Sequence, residues 1–411
     1  MKKIFFFLLC ASLIVAKPAK KLKTGADVLF ESRTELIKGK KIGLITNHTA
    51  KLSNGKHLAD ALHEFAGATL VVLFGPEHGV RGDAPDGRTV RDTTDEKTGV
   101  PVYSLYGKVN KPTPEMLKNV DVLIFDIQDV GARFYTFIST MFLGMEAAAE
   151  NNIPFIVLDR PNPITGVRVE GPVRIDSLKS FVGWVPIPIA HGMTVGELAV
   201  MANLQGWLKN RKPAKLTVVE MENWKRSQWF DETLLTWIKP SPNMITTRTA
   251  AVYPGSCMIE GTNVSEGRGT DKPFEYIGAP WINGKELAKL LNEQHLPGVK
   301  FEPVEFTPVE IPNVASHPKY SDHVCGGVYV NVTNRIKFES VKTGIAVIWG
   351  IHSLFNDSLT FRERGFDRLA GTPVIREMIL QGKTVNEIEE TWKEELQAFM
   401  KLRKESLLYL K

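Results

Sequence analysis

The chain has 411 residues, 43% hydrophobic and 24% charged, a balance that excludes a disordered or low-complexity protein and leaves room for two or three domains with a sizeable core. Its formal charge of +5 falls to +3 once a leader carrying Lys2 and Lys3 is removed. With the basic residues scattered along the chain, that charge excludes a nucleic-acid footprint and supports only a weak preference for anionic partners.

The leader is the first element. Lys2-Lys3 precedes an apolar run from Ile4 to Val15, and Ala16 follows as a small residue for cleavage. This pattern predicts a signal peptide over residues 1–16 and an exported protein, periplasmic or secreted. The run is too short for a stable membrane span. Leu9 stands before Cys10 where a lipoprotein signal wants a small residue, which disfavours a lipid anchor. The remaining cysteines, Cys257 and Cys325, are too far apart in sequence to make a disulfide framework.

The mature chain then alternates. A short helix over 25–36 precedes a strand, KIGLIT at 41–46, which ends in Asn47-His48. A helix over 57–65 returns to LVVLF at 70–74, which ends beyond Gly75-Pro76 in Glu77-His78, with Arg81 close behind. VDVLIF at 120–125 ends in Asp126 and Asp129, and Gly131 to Tyr135, including Arg133, leads into a helix over 136–150. IPFIVL at 153–158 ends in Asp159-Arg160. Unbroken apolar runs bounded by Gly and Pro read as strands buried on both faces of a parallel sheet. Alternating βα units with crossovers of one hand bring all four strand ends to one edge, where open α/β sheets bind ligands.

Further on, His191 precedes a capping box, Thr194 with Glu197, that opens a helix to about Trp207, and residues 214–220 form another strand. Residues 224–237 are aromatic and charged, a segment able to lie over a ligand. Residues 241–270, rich in Gly, Asn, Thr and Ser, read as a long loop reaching across a cleft and carrying Asn243, Glu260, Asn263, Glu266 and Arg268. From Asn283 the texture changes: a helix, alternating strands at 299–311 and 326–332, an apolar run at 344–349 that fits strand or buried helix, and amphipathic helices to the end. The fold class expected is α/β, a Rossmann-like parallel sheet domain over residues 25–282 with a second, smaller α+β domain over 283–411 that closes the cleft.

Carboxyl groups gathered at a crevice suit glycoside hydrolysis, which needs one protonated carboxyl at the leaving oxygen and a second group on water or sugar. Glu77, just past a dry strand, suits the acid; Asp126, Asp129 and Glu266 are candidates for the second group. Metal-assisted hydrolysis through His48, His78 and His191 is the rival, but their spacings match no standard zinc pattern. No G-x-G-x-x-G or phosphate loop follows a strand, so no nucleotide cofactor is indicated, and no nucleophile elbow marks a serine hydrolase.

Five motifs resemble one family: GPEHGVRG at 75–82, FDIQDVGARFYTF at 125–137, LDRPNPITG at 158–166, HGMTVGELA at 191–199 and YPGSCMIEGTNVSEGRGT at 253–270. They are similar to the NamZ-type exo-β-N-acetylmuramidases. The resemblance implies a secreted glycosidase that removes terminal non-reducing N-acetylmuramic acid from peptidoglycan fragments, with its site in a cleft between two domains. By motif position it implies Glu77 as catalytic carboxyl. Asn47, His48, His78, Arg81, Arg133, Tyr135, Arg160, His191, Asn243, Glu260, Asn263 and Arg268 are the candidate substrate-binding residues. Muramic acid carries a lactyl carboxylate, which a forked cation reads best; Arg133, Arg160 and Arg268 are the candidates, with Arg81 behind them. The rival classes are a muropeptide-binding protein that captures without cutting and an amidase or esterase acting on muropeptides.

Overall fold

A computed structural model describes residues 21–82 and 92–410. The expected leader, with Cys10, lies outside them. In chain order the first part runs α1 (Gly25–Ser32), β1 (Lys41–Thr46), α2 (Leu58–Glu64), β2 (Thr69–Gly75), β3 (Thr93–Thr94) and β4 (Pro101–Ser104). It continues through α3 (Pro114–Leu117), β5 (Val122–Asp126), α4 (Phe137–Glu150), β6 (Phe155–Leu158), β7 (Glu170–Val173), β8 (Pro188–Ala190), α5 (Val195–Leu204) and β9 (Leu216–Val219).

Seven strands form the central sheet in the order β3-β4-β2-β1-β5-β6-β9. All its pairings are parallel except that of β3, the short edge strand. Counting the parallel strands alone gives the doubly wound order in which the chain starts in the middle, works to one edge, then returns and builds to the other. The reversal, the switch point, lies between β1 and β5. Alternate strand residues serve opposite faces. Ile42, Leu44, Val122, Ile124, Ile156 and Leu158 pack with α1 and α2, whereas Ile45, Leu123, Phe125, Phe155 and Val157 pack with α4 and α5. Burial on both faces is why these strands read as continuous apolar runs. The pairing of Thr46 with Asp126 and of Phe125 with Val157 brings the strand ends level at one edge.

The second part contains α6 (Thr247–Ser256), β10 (Tyr276–Ala279), α7 (Gly284–Asn292), β11 (Val299–Phe306), β12 (Cys325–Val332) and α8 (Ser340–Phe355). Four short helices follow: α9 (Glu363–Ala370), α10 (Val374–Leu380), α11 (Val385–Glu390) and α12 (Lys393–Leu402). Its antiparallel sheet has the order β10-β12-β11 and belongs to a smaller domain.

One expectation is corrected here and one open alternative is decided. Residues 241–270 are not loop throughout, since α6 occupies their middle and is buried from Thr249 to Ser256. Within it, a side chain at Gly255 would meet the Ser340 carbonyl at 1.9 Å, so glycine is what lets α6 lie against α8. The apolar run at 344–349 is helix, the centre of α8.

The last residues return to the first domain. The Tyr409 hydroxyl donates to Asp159 Oδ2 at 2.7 Å and accepts from the Met221 amide at 2.9 Å. Cys257 and Cys325 are both buried free thiols. No described helix is long and apolar enough to cross a membrane.

Candidate active site

At the end of β2 the chain turns sharply, with the Gly79 amide on the Pro76 carbonyl at 2.9 Å and positive φ at both His78 (71°) and Gly79 (74°). A histidine held at φ > 0 is strained backbone of the kind found at working sites. The turn leaves Glu77 half-buried at the mouth of a cavity of about 420 Å³. Thr136, the residue before α4, makes no side-chain cap; its hydroxyl donates instead to Glu77 Oε2 at 3.2 Å. A threonine at that position usually stabilises its helix by about 1 kcal/mol, and here the hydroxyl orients a carboxyl.

The floor is aromatic. Tyr253 of α6 meets Phe134, Tyr135 and Phe274 edge to face, at centroid distances of 5.3, 5.9 and 4.8 Å. The far wall begins where α6 runs into a 3₁₀ turn, Cys257–Gly261, which carries Glu260. Gly267 and Gly269, at φ 79° and 80°, then set Glu266 and Arg268 back into the cavity; a side chain at Gly267 would strike the Tyr276 carbonyl at 2.6 Å.

Arg268 joins the two acids. Its Nη2 lies 2.8 Å from Glu260 Oε1, its Nε lies 3.4 Å from Glu266 Oε1, and its guanidinium sits 5.1 Å over the Phe274 ring. Lys319 holds Glu266 from the other side at 3.0 Å and also donates to the carbonyls of Val264 (2.7 Å) and Ile259 (3.1 Å). Arg362 lines the same cavity and donates to the Glu260 carbonyl. Three carboxyl groups, Glu77, Glu260 and Glu266, thus face one hollow. Glu266 is buried between two cations, Glu260 is a quarter exposed beside one, and Glu77 enters the same hollow from the end of β2.

The cleft therefore gathers Glu77, His78, Tyr135, Glu260, Glu266 and Arg268 from the sequence candidates. The others lie elsewhere. Asp126 is fully buried in a two-point ion pair with Arg160, Nη2 to Oδ2 at 2.9 Å, so neither faces this cavity. Asp129 accepts from the Gly131 amide at 2.6 Å and lies 3.3 Å from the buried His191, whose Nδ1 accepts from Met193; both shape the loop beneath the cleft floor. Arg133 is fully buried and donates to the carbonyls of Pro172, Ile187 and Leu369, joining the two domains; loss of hydration pushes its pKa down to about 9. Arg81 grips Asp95 at two points and Asp60 at a third, each 2.7 Å. Asn47 accepts from the Thr49 amide and hydroxyl, and His48 Nε2 meets the Lys239 carbonyl at 2.8 Å. Asn243 ties its loop to Val314, and Asn263 ties its own to Ser358 and Thr360.

Sequence reasoning missed Thr136, Lys319 and Arg362. Lys319 comes from a polar stretch with no periodicity, and nothing in the local sequence marks it. Among the described residues no group of three or more His, Cys, Asp or Glu is arranged to hold a metal ion.

The family model for the N-terminal part of the exo-β-N-acetylmuramidase NamZ matches residues 42–248, and that for its C-terminal part matches residues 251–409. The chain belongs to the NamZ family. That family is one of glycoside hydrolases, and its two models meet in the first turn of α6. A peptidoglycan β-N-acetylmuramidase NamZ of Bacillus subtilis is 52% identical over 390 residues, 95% of this chain and 92% of that protein. Two DUF1343 family proteins of Bacteroides fragilis, known from crystal structures, share the fold. The first has a TM-score of 0.88 at 40% identity and the second 0.78 at 35%; each match covers 95% of this chain and 99% of the other.

Proposed function

We propose that this protein hydrolyses the β-glycosidic bond of terminal, non-reducing N-acetylmuramic acid in peptidoglycan fragments. The observation that carries the reading is that Glu77, Glu260 and Glu266 line one cleft of about 420 Å³ in a chain of the NamZ family. Glu77 acts as general acid: half-buried and steered by Thr136, it delivers a proton to the leaving oxygen. The partner carboxyl is Glu260 or Glu266. Glu266, fixed by Arg268 and Lys319, offers an immobile carboxylate towards the positive charge that develops on the sugar ring. Glu260, more exposed, has room to activate water. Arg268 reads the lactyl carboxylate; of the four arginines considered from sequence, it is the one that lines this cleft. The basic, apolar and small-residue pattern of residues 1–16 supports export to a periplasm or the outside of the cell, where such fragments arise.

Mass spectrometry of digested muropeptides tests the reading. Release of free N-acetylmuramic acid from non-reducing ends is the expected product. An intact glycosidic bond with a cut amide or ester would replace it by an amidase or esterase, and recovery of unchanged ligand would leave a binding protein.

A further inference from the structure

A second cavity, of about 310 Å³, opens at the switch point of the central sheet, in the crevice between the ends of β1 and β5. Open α/β sheets characteristically bind a ligand at that position, yet the catalytic cleft lies one strand away, beyond β2. The chemistry of this cavity is distinct. Among the described residues lining it are Lys21, Lys51 and Arg160 and no Asp or Glu. Arg160 is 94% buried, and its Nε and Nη2 are taken by Asp126 and the Lys51 carbonyl. Its remaining nitrogen, Nη1, has no partner among the described residues. Asp126 balances the charge of Arg160, so Lys51 supplies the excess positive charge while Arg160 supplies a fixed, directional donor.

The lining also carries apolar side chains: Leu52, Phe230 and Leu235. Leu234 at the rim is held at φ 63° and is 79% exposed, an unfavourable backbone state and an unfavourable environment for the same residue. No glycine-rich turn follows β1, whose end reads Thr46-Asn47-His48-Thr49, so the crevice has no cradle for a pyrophosphate. Its volume is at the low end for small-molecule sites.

We propose that this cavity is a second binding site, separate from the cleft, for a small organic carboxylate with an apolar body. The carboxylate meets Arg160 Nη1 and Lys51, and the body lies against Leu52, Phe230 and Leu235. The proposal is independent of the glycosidase reading.

The test is calorimetric titration of the full chain with N-acetyl-L-leucine and with its neutral amide. The acid binds and the amide does not. Lys51→Glu, a change at an exposed side chain, weakens the acid by roughly tenfold or more, while Arg268→Ala in the cleft leaves it unchanged. Failure of the acid to bind, equal binding of acid and amide, indifference to Lys51→Glu, or loss on Arg268→Ala would each overturn the assignment.

Discussion

The Asp126–Arg160 pair separates a structural carboxyl from a catalytic one. Asp126 is fully buried and Arg160 is 6% exposed, and the two meet at two points. Asp126→Asn keeps the volume but removes the charge and one acceptor, leaving a guanidinium in the interior without its counter-ion. Breaking a buried pair from one side costs about 3–5 kcal/mol. At roughly 1 °C per kcal/mol for a chain of this size, the melting temperature falls by about 3–6 °C. Because Asp126 does not face the cleft, the folded fraction retains its turnover. Scanning calorimetry at constant protein concentration, paired with muramide hydrolysis well below the melting range, reads both quantities. An Asp126→Asn variant that melts with the parent but has lost its activity would refute the reasoning and return Asp126 to the chemistry.

Three other outcomes are expected. Arg268→Ala frees Glu260 and Glu266 and so lowers kcat on both substrates, but raises KM by roughly tenfold or more for a β-N-acetylmuramide alone; an equal rise in KM for the matching N-acetylglucosaminide would remove Arg268 from lactate recognition. Asp159, raised by burial from 3.8 to about 7, binds more protons folded than unfolded, so its contribution to stability declines as pH rises from about 4 to about 7. Asp159→Asn flattens that part of the melting-temperature profile, and an unchanged slope would assign it to other groups. Gly255→Ala forces α6 away from the Ser340 carbonyl and destabilises by about 1–3 kcal/mol or more; circular dichroism melts that match the parent would contradict the tight helix crossing.

The sheet could be read before it was seen because burial on both faces writes itself as an unbroken apolar run, as in residues 70–74 and 122–125. One element escaped, and another stayed open between two alternatives. In α6, Pro254 and Gly255 look like turn residues, yet the glycine is there for contact with α8, a partner about ninety positions away in sequence. In α8 the same apolar density that marks a strand marks a buried helix, and period alone does not separate the two over six residues. The strand β3 and the hairpin of β7 and β8 are too short to carry a period at all.

The site divides in the same way. Glu77 follows a strand end and Glu266 sits in a turn-rich stretch, and the fold brings both to the lining of one hollow. The same logic selected Asp126 and Asp129, but a strand end offers a carboxyl two destinations. Asp126 turns towards the arginine at the end of the neighbouring strand, and Asp129 towards a loop amide and His191. That choice depends on strand neighbours, not on local sequence. Lys319 was invisible because its role exists only once the chain folds back to bring it against residues 259–266, more than fifty positions earlier.

The central claim is that Glu77 protonates the departing oxygen, and a leaving-group comparison with Glu77→Gln addresses it most directly. On an alkyl β-N-acetylmuramide, whose alkoxide leaves poorly, the variant loses at least about a hundredfold in turnover while keeping its melting temperature. On a nitrophenyl muramide, which needs little protonation, the loss is much smaller. A near-normal rate on the alkyl substrate would contradict the account.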